Sequence, residues 1–188
     1  PVRASMKRAA LLVLPSGFLQ DVFGRFGMKG RIVSNIIDLT RFRPADDGRA
    51  PAAHIVVARN LEAIYRIETA LRAFAKIQAV RLDARLSVAG SGPQLAELQA
   101  LAVRLGVADQ VHFTGRLDRE EMASLYRDAD LTLNPSRVDN MPNSVLEALA
   151  SGVPVVTTDV GGIPYIVQHE VTALLVPRDD PDAVAAAA

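Results

Sequence analysis

Short runs of apolar, often β-branched residues alternate with longer amphipathic stretches along most of the 188-residue chain. The runs IVVA and VPVV contain hardly a polar position, which is typical of strands that are covered on both faces. Between Leu95 and Leu105, by contrast, apolar residues recur at three- and four-residue spacing, as they do on the buried face of a helix. This alternation predicts an α/β fold, a Rossmann-like parallel sheet with helices on both faces.

The same pattern gives approximate bounds for each element. The predicted strands are Ala10–Leu14, Arg31–Ile37, His54–Ala58, Ala84–Ala89, Gln110–Thr114, Leu131–Asn134, Pro154–Thr157 and Thr172–Val176. The predicted helices are Phe18–Phe26, Ile67–Ile77, Pro93–Leu105, Arg119–Asp128, Pro142–Ser151 and Ile163–Val167, with one more opened by Asp179–Asp182. Residues 45–53 are the best candidate for a loop or linker.

Composition narrows the classes of function. Lys plus Arg and Asp plus Glu both number 21, so the overall charge does not indicate a nucleic-acid partner. Residues 1–50 carry nine basic and four acidic residues, and residues 118–188 carry four basic and twelve acidic ones, which favours solvated faces over an interaction face. The chain has no cysteine, which excludes disulfides, and its three histidines are too scattered for a common zinc motif. No apolar run is long enough to span a membrane, so we expect a soluble, cytoplasmic protein.

The loops that follow the predicted strands are the first candidates for a site, because ligands of open α/β sheets bind beyond the carboxyl ends of the strands. These loops are rich in glycine, arginine and small polar side chains. Such a lining suits a phosphate-bearing ligand, since glycine lets backbone N–H groups approach an anion closely. The loops contain Arg59 and Asn60, Gly90–Pro93, Gly115 and Arg116, Asn134–Ser136, and Asp159–Gly162.

The segment DNMPNSVLEALASG combines two acids with the start of a helix. The free N–H groups of the first turn, near Asn143 and Ser144, and the helix dipole form an anion site. Glu147 lies one turn further on the same face, where its carboxylate could accept both hydroxyls of a ribose. Asp139 would then face whatever is attached to the phosphates. The alternative is that Asp139 or Asn140 merely caps the helix and that Glu147 is solvated.

Two other motifs have weaker support. GSGPQL follows a strand as a dinucleotide-binding loop does, but Leu95 replaces the third glycine and Asp109 only loosely matches the ribose acid. A tight strand-to-helix turn, with Pro93 in the first helical turn, is therefore favoured over NAD binding. Asp128-Ala129-Asp130 mimics the Asp-x-Asp motif with which some sugar transferases chelate a metal ion. It joins a helix to a strand, however, on the wrong edge of the sheet, where solvated acids are expected.

Several segments in order resemble the donor-binding half of family 4 retaining glycosyltransferases, which have the GT-B architecture. They are VSNIIDLTRFRP, VVARN, RLSVAGSGPQLAELQALAVRLG, VHFTGRLDREEMASLYRDADLTLNPS and NPSRVDNMPNSVLEALASGVPVVTTDVGGIPYIV. The resemblance covers about residues 10–188. It implies that residues 29–188 form the nucleotide-sugar-binding domain, cut short at its C-terminus. Residues 1–28 would be the trailing strand and helix of a mostly absent acceptor-binding domain.

The resemblance also implies a role for each residue of the site. Asp139 and Glu147 fall on the family's acid-x7-Glu motif, which implies that Asp139 is catalytic and contacts donor-sugar hydroxyls near the anomeric centre, while Glu147 binds the ribose. Arg59 matches the arginine that neutralises the diphosphate. The other implied donor-binding residues are Asn60 beside that arginine, Gly90 and Gly92 at the nucleotide pocket, Arg116 and Leu117 at the base, and Asn140, Met141, Pro142, Asn143 and Ser144 around the sugar and diphosphate.

Two positions depart from the family pattern. Asp139 is shorter than the usual glutamate by roughly one C–C bond. The lysine that often follows the arginine has no counterpart, which leaves Arg66 as the candidate replacement, although arginine and lysine bind phosphate differently.

The expected function is retaining transfer of a sugar from a nucleotide-diphospho-sugar to an acceptor hydroxyl. Positive charge and helix N–H groups would stabilise the leaving diphosphate, so no metal or other cofactor is expected. We expect this chain alone to bind UDP or GDP but to transfer negligibly, and the complete protein could be peripheral at the inner membrane. A nucleotide-sugar 2-epimerase of the same architecture and a non-catalytic nucleotide-binding module are the alternatives. Apolar surface at Ala10–Phe26 is expected to promote self-association. The sugar, the base and the acceptor stay open.

Overall fold

The computed structural model describes residue 6 and residues 8–45 and 52–188. The strands are β1 (Val13–Leu14), β2 (Arg31–Ile32), β3 (His54–Ala58), β4 (Arg85–Ala89), β5 (Val111–Gly115), β6 (Leu131–Asn134), β7 (Val155–Thr158) and β8 (Leu174–Val176). The helices are α1 (Gly17–Gly24), α2 (Ile67–Val80), α3 (Leu95–Arg104), α4 (Arg119–Arg127), α5 (Asn143–Ala150) and α6 (Pro181–Ala187). Short 3-10 helices lie at Ala63–Tyr65, Ala108–Gln110 and Ile163–Tyr165.

Strands β3 to β8 form one parallel sheet in the order β5-β4-β3-β6-β7-β8, which confirms the predicted fold class. The chain builds the sheet outward from β3 on one side, through β4 and β5. It then returns to the other side of β3 and adds β6, β7 and β8. The strand order therefore reverses between β3 and β6, and the crevice at the carboxyl ends of these strands is the favoured place for a ligand.

Successive residues of β3 belong to different hydrophobic clusters, because side chains alternate between the two faces of a strand. Ile55 and Val57 pack in the cluster that contains helices α2, α3 and α6. Val56, which is fully buried, packs in the cluster that contains helices α4 and α5. Helices therefore cover both faces of the sheet, as the continuous apolar runs predict.

The strands β1 and β2 pair with each other in a separate two-stranded parallel sheet. This pairing joins residues on both sides of the expected domain boundary at residue 28. The prediction of a strand over Arg31–Ile37 is wrong beyond Ile32. The chain leaves the strand there, and the side-chain amide of Asn35 donates to Met141 O and Asn143 Oδ1 at 3.2 and 2.7 Å.

One smaller correction concerns the segment after β7. The predicted helix Ile163–Val167 is only a 3-10 turn over Ile163–Tyr165. The opening of the last helix is as predicted, since Asp180 caps α6 by accepting from Ala183 N at 2.9 Å. Residues 46–51 of the predicted loop 45–53 lie outside the described part of the chain. Phe26 and Leu11 are 51% and 63% exposed, and the self-association of this segment stays a prediction.

Candidate functional site

A cleft of about 480 Å³ lies at the carboxyl edge of the sheet, where the loops after β3, β4, β5 and β6 meet the start of α5. It brings together most of the residues that the sequence singles out, which lie up to 88 positions apart in the chain, from Arg59 to Glu147. Its lining is Asn35, Ala58, Arg59, Asn60, Tyr65, Ala89, Gly90, Arg116, Leu117, Met122, Asp139, Asn140, Met141, Pro142, Asn143, Ser144 and Glu147.

The first turn of α5 opens into this cleft without a side-chain cap. Pro142 is the N-cap residue, in an extended conformation with φ −66° and ψ 116°, and its carbonyl accepts from Val145 N and Leu146 N. Since no side chain caps the helix, the first N–H groups are available to a ligand. The alternative in which Asp139 or Asn140 caps the helix is not what the structure shows.

Asp139 and Arg59 form an ion pair in the wall of the cleft. Arg59 Nη2 lies 2.5 Å from Asp139 Oδ2, and the two side chains are only 12% and 8% exposed. Asn140 N donates to the other carboxylate oxygen at 3.0 Å. Burial raises the pKa of the Asp139 carboxyl, and the charge of Arg59 opposes this rise. Desolvation is the larger of the two effects, so Asp139 is held in an environment that penalises its negative charge.

Glu147 is half-buried and does not have the solvated position of the alternative interpretation. Burial raises the pKa of its carboxyl, with the charge of Arg119 opposing. Glu147 lines both the cleft and an adjoining cavity of about 600 Å³ that extends to Phe42. Arg116 and Leu117 line both cavities as well, so an elongated ligand could pass Glu147 and reach these residues.

Two residues that line the cleft each have a buried donor with no hydrogen-bond partner among the described residues. The donors are Arg59 Nε and the hydroxyl of Ser144, whose residue is 8% exposed. Buried polar groups in folded proteins are almost always paired, so these two are candidates to be satisfied by a ligand. The carbonyl of Ser144 is already occupied, because the buried hydroxyl of Tyr126 donates to it at 3.0 Å and fixes the first turn of α5.

Three glycines hold the walls of the cleft close together. Gly90 has φ +144°, and a Cβ there would overlap the carbonyl oxygen of Arg59. Gly162 N donates to Asp139 O at 2.9 Å. A Cβ on Gly161 or Gly162 would overlap the carbonyl oxygen of Asp139 or of Asn140, respectively. Backbone contact of this kind places the Asp139 loop against the end of β7.

The family model described as "Glycosyl transferases group 1" matches residues 52–188. The chain belongs to this family. N-acetyl-alpha-D-glucosaminyl L-malate synthase of Bacillus anthracis is 31% identical to it, over 93% of the chain and 44% of that relative. The chain spans between 30% and 44% of the length of the first curated relatives it matches.

Solved structures agree with this assignment. Sucrose-phosphate synthase of Thermosynechococcus elongatus superposes with a TM-score of 0.87 and 28% identity, over 99% of the chain and 50% of that protein. Anabaena HepE, solved with UDP and glucose, superposes with a TM-score of 0.86 over 98% of the chain and 54% of that protein. At 20% identity, the second likeness shows the fold alone. The fold is thus that of GT-B glycosyltransferases.

The structure does not bring two predicted site residues of this group 1 glycosyltransferase chain to the cleft. Arg66 has a left-handed backbone, with φ 52° and ψ 43°. Its Nε is 2.6 Å from Asp179 Oδ1 and its Nη1 is 2.5 Å from Glu68 Oε1. These two ion pairs hold the Arg66 side chain away from the cleft. Gly92 packs instead on the backbone of Leu61, where a Cβ would overlap the carbonyl oxygen. It serves a tight turn, as the alternative to NAD binding predicts, but Pro93 precedes the helix, which begins at Leu95.

The Asp-x-Asp motif lies at the opposite edge of the sheet, as expected. Asp130 Oδ2 accepts from Ala52 N and from His54 N, the first residue of β3, both at 2.9 Å. In the described ranges, no group of three or more His, Asp or Glu side chains could hold a metal ion. The same part of the chain contains no helix long and apolar enough to cross a bilayer.

Sequence reasoning missed Tyr65, Asn35 and Met122 as cleft residues. Tyr65 directly precedes Arg66, the candidate phosphate-binding cation. An aromatic residue next to such a cation is a signal that could have identified it. The apolar run VSNII predicts a strand interior for Asn35, although the polar side chain within this run is a signal against it. Met122 lies on the amphipathic helix α4, and nothing in its spacing distinguishes it from a core residue.

Proposed function

We propose that this chain is the donor-binding part of a retaining glycosyltransferase that uses a nucleoside-diphospho-sugar. One observation carries the proposal: two buried, unpartnered donors, Arg59 Nε and Ser144 Oγ, belong to residues that line the same cleft as the acid pair Asp139 and Glu147. Hydrogen-bond donors can bind phosphate oxygens, and carboxylates can accept hydrogen bonds from sugar hydroxyls. The cleft therefore offers both kinds of group that such a donor needs.

The donor would lie across the start of α5. Glu147 would accept the ribose hydroxyls, and the base would extend towards Arg116 and Leu117, beside the adjoining cavity. The diphosphate would lie between Arg59 and the uncapped N–H groups of the helix. Asp139 would then meet the transferred sugar. These binding roles are part of the proposal, as are those of Asn60, Gly90 and the residues from Asn140 to Asn143.

In the transfer step, the bond between the anomeric carbon and the diphosphate oxygen breaks, and the acceptor oxygen bonds to the same face of that carbon. The leaving phosphate carries the negative charge and takes the acceptor proton. The guanidinium of Arg59 and the helix N–H groups stabilise this charge, which is why we propose that no metal cofactor is needed. Closure of a second domain over the cleft would exclude water.

UDP is the first candidate for the nucleotide, because the Anabaena protein with the same fold was solved with UDP and glucose. The acceptor is expected to bind elsewhere in the complete protein, since the chain spans less than half the length of its curated relatives. We therefore expect the 188-residue chain to bind nucleotide and to transfer sugar negligibly. The relatives are transferases and synthases, which disfavours the epimerase alternative.

A thermal-shift panel of UDP, GDP and ADP, followed by their sugar conjugates, tests the proposal. At least one diphosphate should raise the unfolding temperature, because a ligand that binds only the folded state stabilises it. Calorimetry with the same nucleotide should then show a severe loss of affinity in Glu147→Ala. Glu97→Ala changes an exposed glutamate on α3 and serves as the matched control. Unchanged affinity in Glu147→Ala would refute the ribose role.

A further inference from the structure

The cleft depends on Arg59 for its positive charge near the start of α5. Arg66, the other candidate for binding the diphosphate, is held by Asp179 and Glu68 and does not line the cleft. The remaining cationic side chain in the lining is Arg116, which follows β5 and is shared with the adjoining cavity. What fixes the guanidinium of Arg59 therefore bears directly on how the diphosphate would be bound.

Arg59 is fixed from two directions. Its Cζ lies 4.1 Å from the centroid of the Tyr65 ring, within the range of a cation–π interaction. At its edge, Nη2 donates to Asp139 Oδ2 at 2.5 Å. The ring contacts the guanidinium carbon, while hydrogen bonds use the N–H groups at the edge of the planar group. Tyr65 therefore holds the cation without occupying any of its donors, and Nε still has no partner among the described residues.

Tyr65 itself is set in a rigid position. It ends the 3-10 helix Ala63–Tyr65, and its N donates to Glu62 O at 2.9 Å. The carbonyl of Ile64 accepts from Arg137 N, which ties this turn to the segment after β6. The Tyr65 side chain is half-buried against the main hydrophobic cluster. An aromatic face on such a support can keep a guanidinium in one plane.

We propose that Tyr65 is a positioning residue for diphosphate binding, which holds the Arg59 guanidinium flat and leaves its in-plane donors free for the phosphates. This inference rests on the proposed function, because it assigns a residue to the diphosphate part of that site. Tyr65 supplies no second charge in place of the missing lysine. Because Tyr65 already restricts the Arg59 side chain, less conformational entropy is lost when the diphosphate binds, and one arginine is enough to bind it.

The test is calorimetry of UDP and UMP binding to the full 188-residue chain and to three variants. Tyr65→Leu removes the aromatic face but keeps an apolar side chain for the packing. It should weaken UDP binding about fivefold, since a partly desolvated cation–π contact contributes about 1 kcal/mol. UMP, which lacks the second phosphate, should lose less. Tyr65→Phe keeps the ring and should bind UDP within twofold of the wild type.

A double variant separates positioning from a general structural effect. In an Arg59→Gln background, Tyr65→Leu should cause no further loss of UDP affinity, whereas a merely structural role would persist there. An equal loss in both backgrounds would overturn the inference. So would a loss in Tyr65→Phe as large as in Tyr65→Leu, because the hydroxyl would then contact the ligand directly.

A ligand-independent measurement distinguishes failure of this inference from failure of the proposed function. The Tyr65 ring should shift the NMR resonances of the Arg59 side chain, and the shift should vanish in Tyr65→Leu and survive in Tyr65→Phe. If the shift is present but the wild type binds no UDP, the nucleotide proposal fails for UDP. If the wild type binds UDP and Tyr65→Leu binds it equally well, the positioning role fails.

Discussion

Asp139 and a bound diphosphate would compete for the same arginine, which leads to an unusual prediction for Asp139→Asn. In this structure the carboxylate takes an in-plane donor of Arg59, in a place where only 8% of the Asp139 side chain is exposed. This negative charge repels an incoming anion, which also has to compete with the carboxylate for Arg59. Replacement by the neutral, similarly shaped asparagine should therefore tighten the binding of UDP, even though Asp139 is the residue proposed to contact the transferred sugar.

The size of the effect follows from the geometry of the pair. A phosphate that accepts from the other donors of Arg59 would lie across the guanidinium, about 6–8 Å from the Asp139 carboxylate. At an effective dielectric constant of about 20, two unit charges about 8 Å apart repel by about 2 kcal/mol. Some of this gain is lost because Asp139 no longer holds Arg59 in place. A net gain of about 1.4 kcal/mol remains, which corresponds to about tenfold tighter binding.

The assay is calorimetry of UDP, and of the UDP-sugar that the thermal-shift panel identifies, at several pH values. UDP should bind Asp139→Asn about tenfold more tightly at pH 7, and the sugar conjugate should gain less, since the variant loses a contact to the sugar. Burial raises the pKa of Asp139, and protonation removes its charge. The ratio of the two UDP affinities should therefore approach one as the pH falls through that pKa, with ionisation of UDP cancelling in the ratio. Weaker UDP binding by Asp139→Asn at pH 7 would refute the competition.

Two further predictions concern stability. A Cβ at Gly162 would overlap the carbonyl oxygen of Asn140, so Gly162→Ala should lower the free energy of unfolding by about 1–3 kcal/mol. Gly24→Ala, which has no atom within 4 Å of the new Cβ, should change urea unfolding little, and equal effects would contradict the overlap. Burial raises the pKa of Glu147 above the ordinary 4.5, so its ionisation opposes folding. Glu147→Gln should then melt higher than the wild type at pH 7. Its advantage should disappear below about pH 4, and a constant difference in melting temperature would refute this cause.

The main sheet was predictable because burial on both faces leaves a strong mark on the sequence. The strands His54–Ala58 and Leu131–Asn134 have the predicted bounds. The first contains the continuous apolar run IVVA, which is typical of a strand covered on both faces. The position of the cleft followed from the same reasoning, because parallel strands bring all their carboxyl ends to one edge. The predicted strand Arg31–Ile37 failed beyond Ile32 because Asn35 bonds to residues more than a hundred positions away, and no local pattern reports such a contact.

Arg66 illustrates why a residue's role in a family cannot always be transferred to the matching position of another chain. Arg66 has the right charge and nearly the right position in the sequence. The structure nevertheless directs its side chain to Asp179. Burial raises the pKa of the Asp179 carboxyl, but the hydrogen bonds and charges of Arg137 and Arg66 together bring it below its ordinary value. The residue before Arg66, Tyr65, has no charge but contacts Arg59, a cation that does line the cleft. Charge in a sequence therefore identifies candidates for an anion site, whereas the orientation of Arg66 depends on the distant Asp179 as well as on the nearby Glu68. The aromatic residue can be found only once Arg59 and its surroundings are placed in three dimensions.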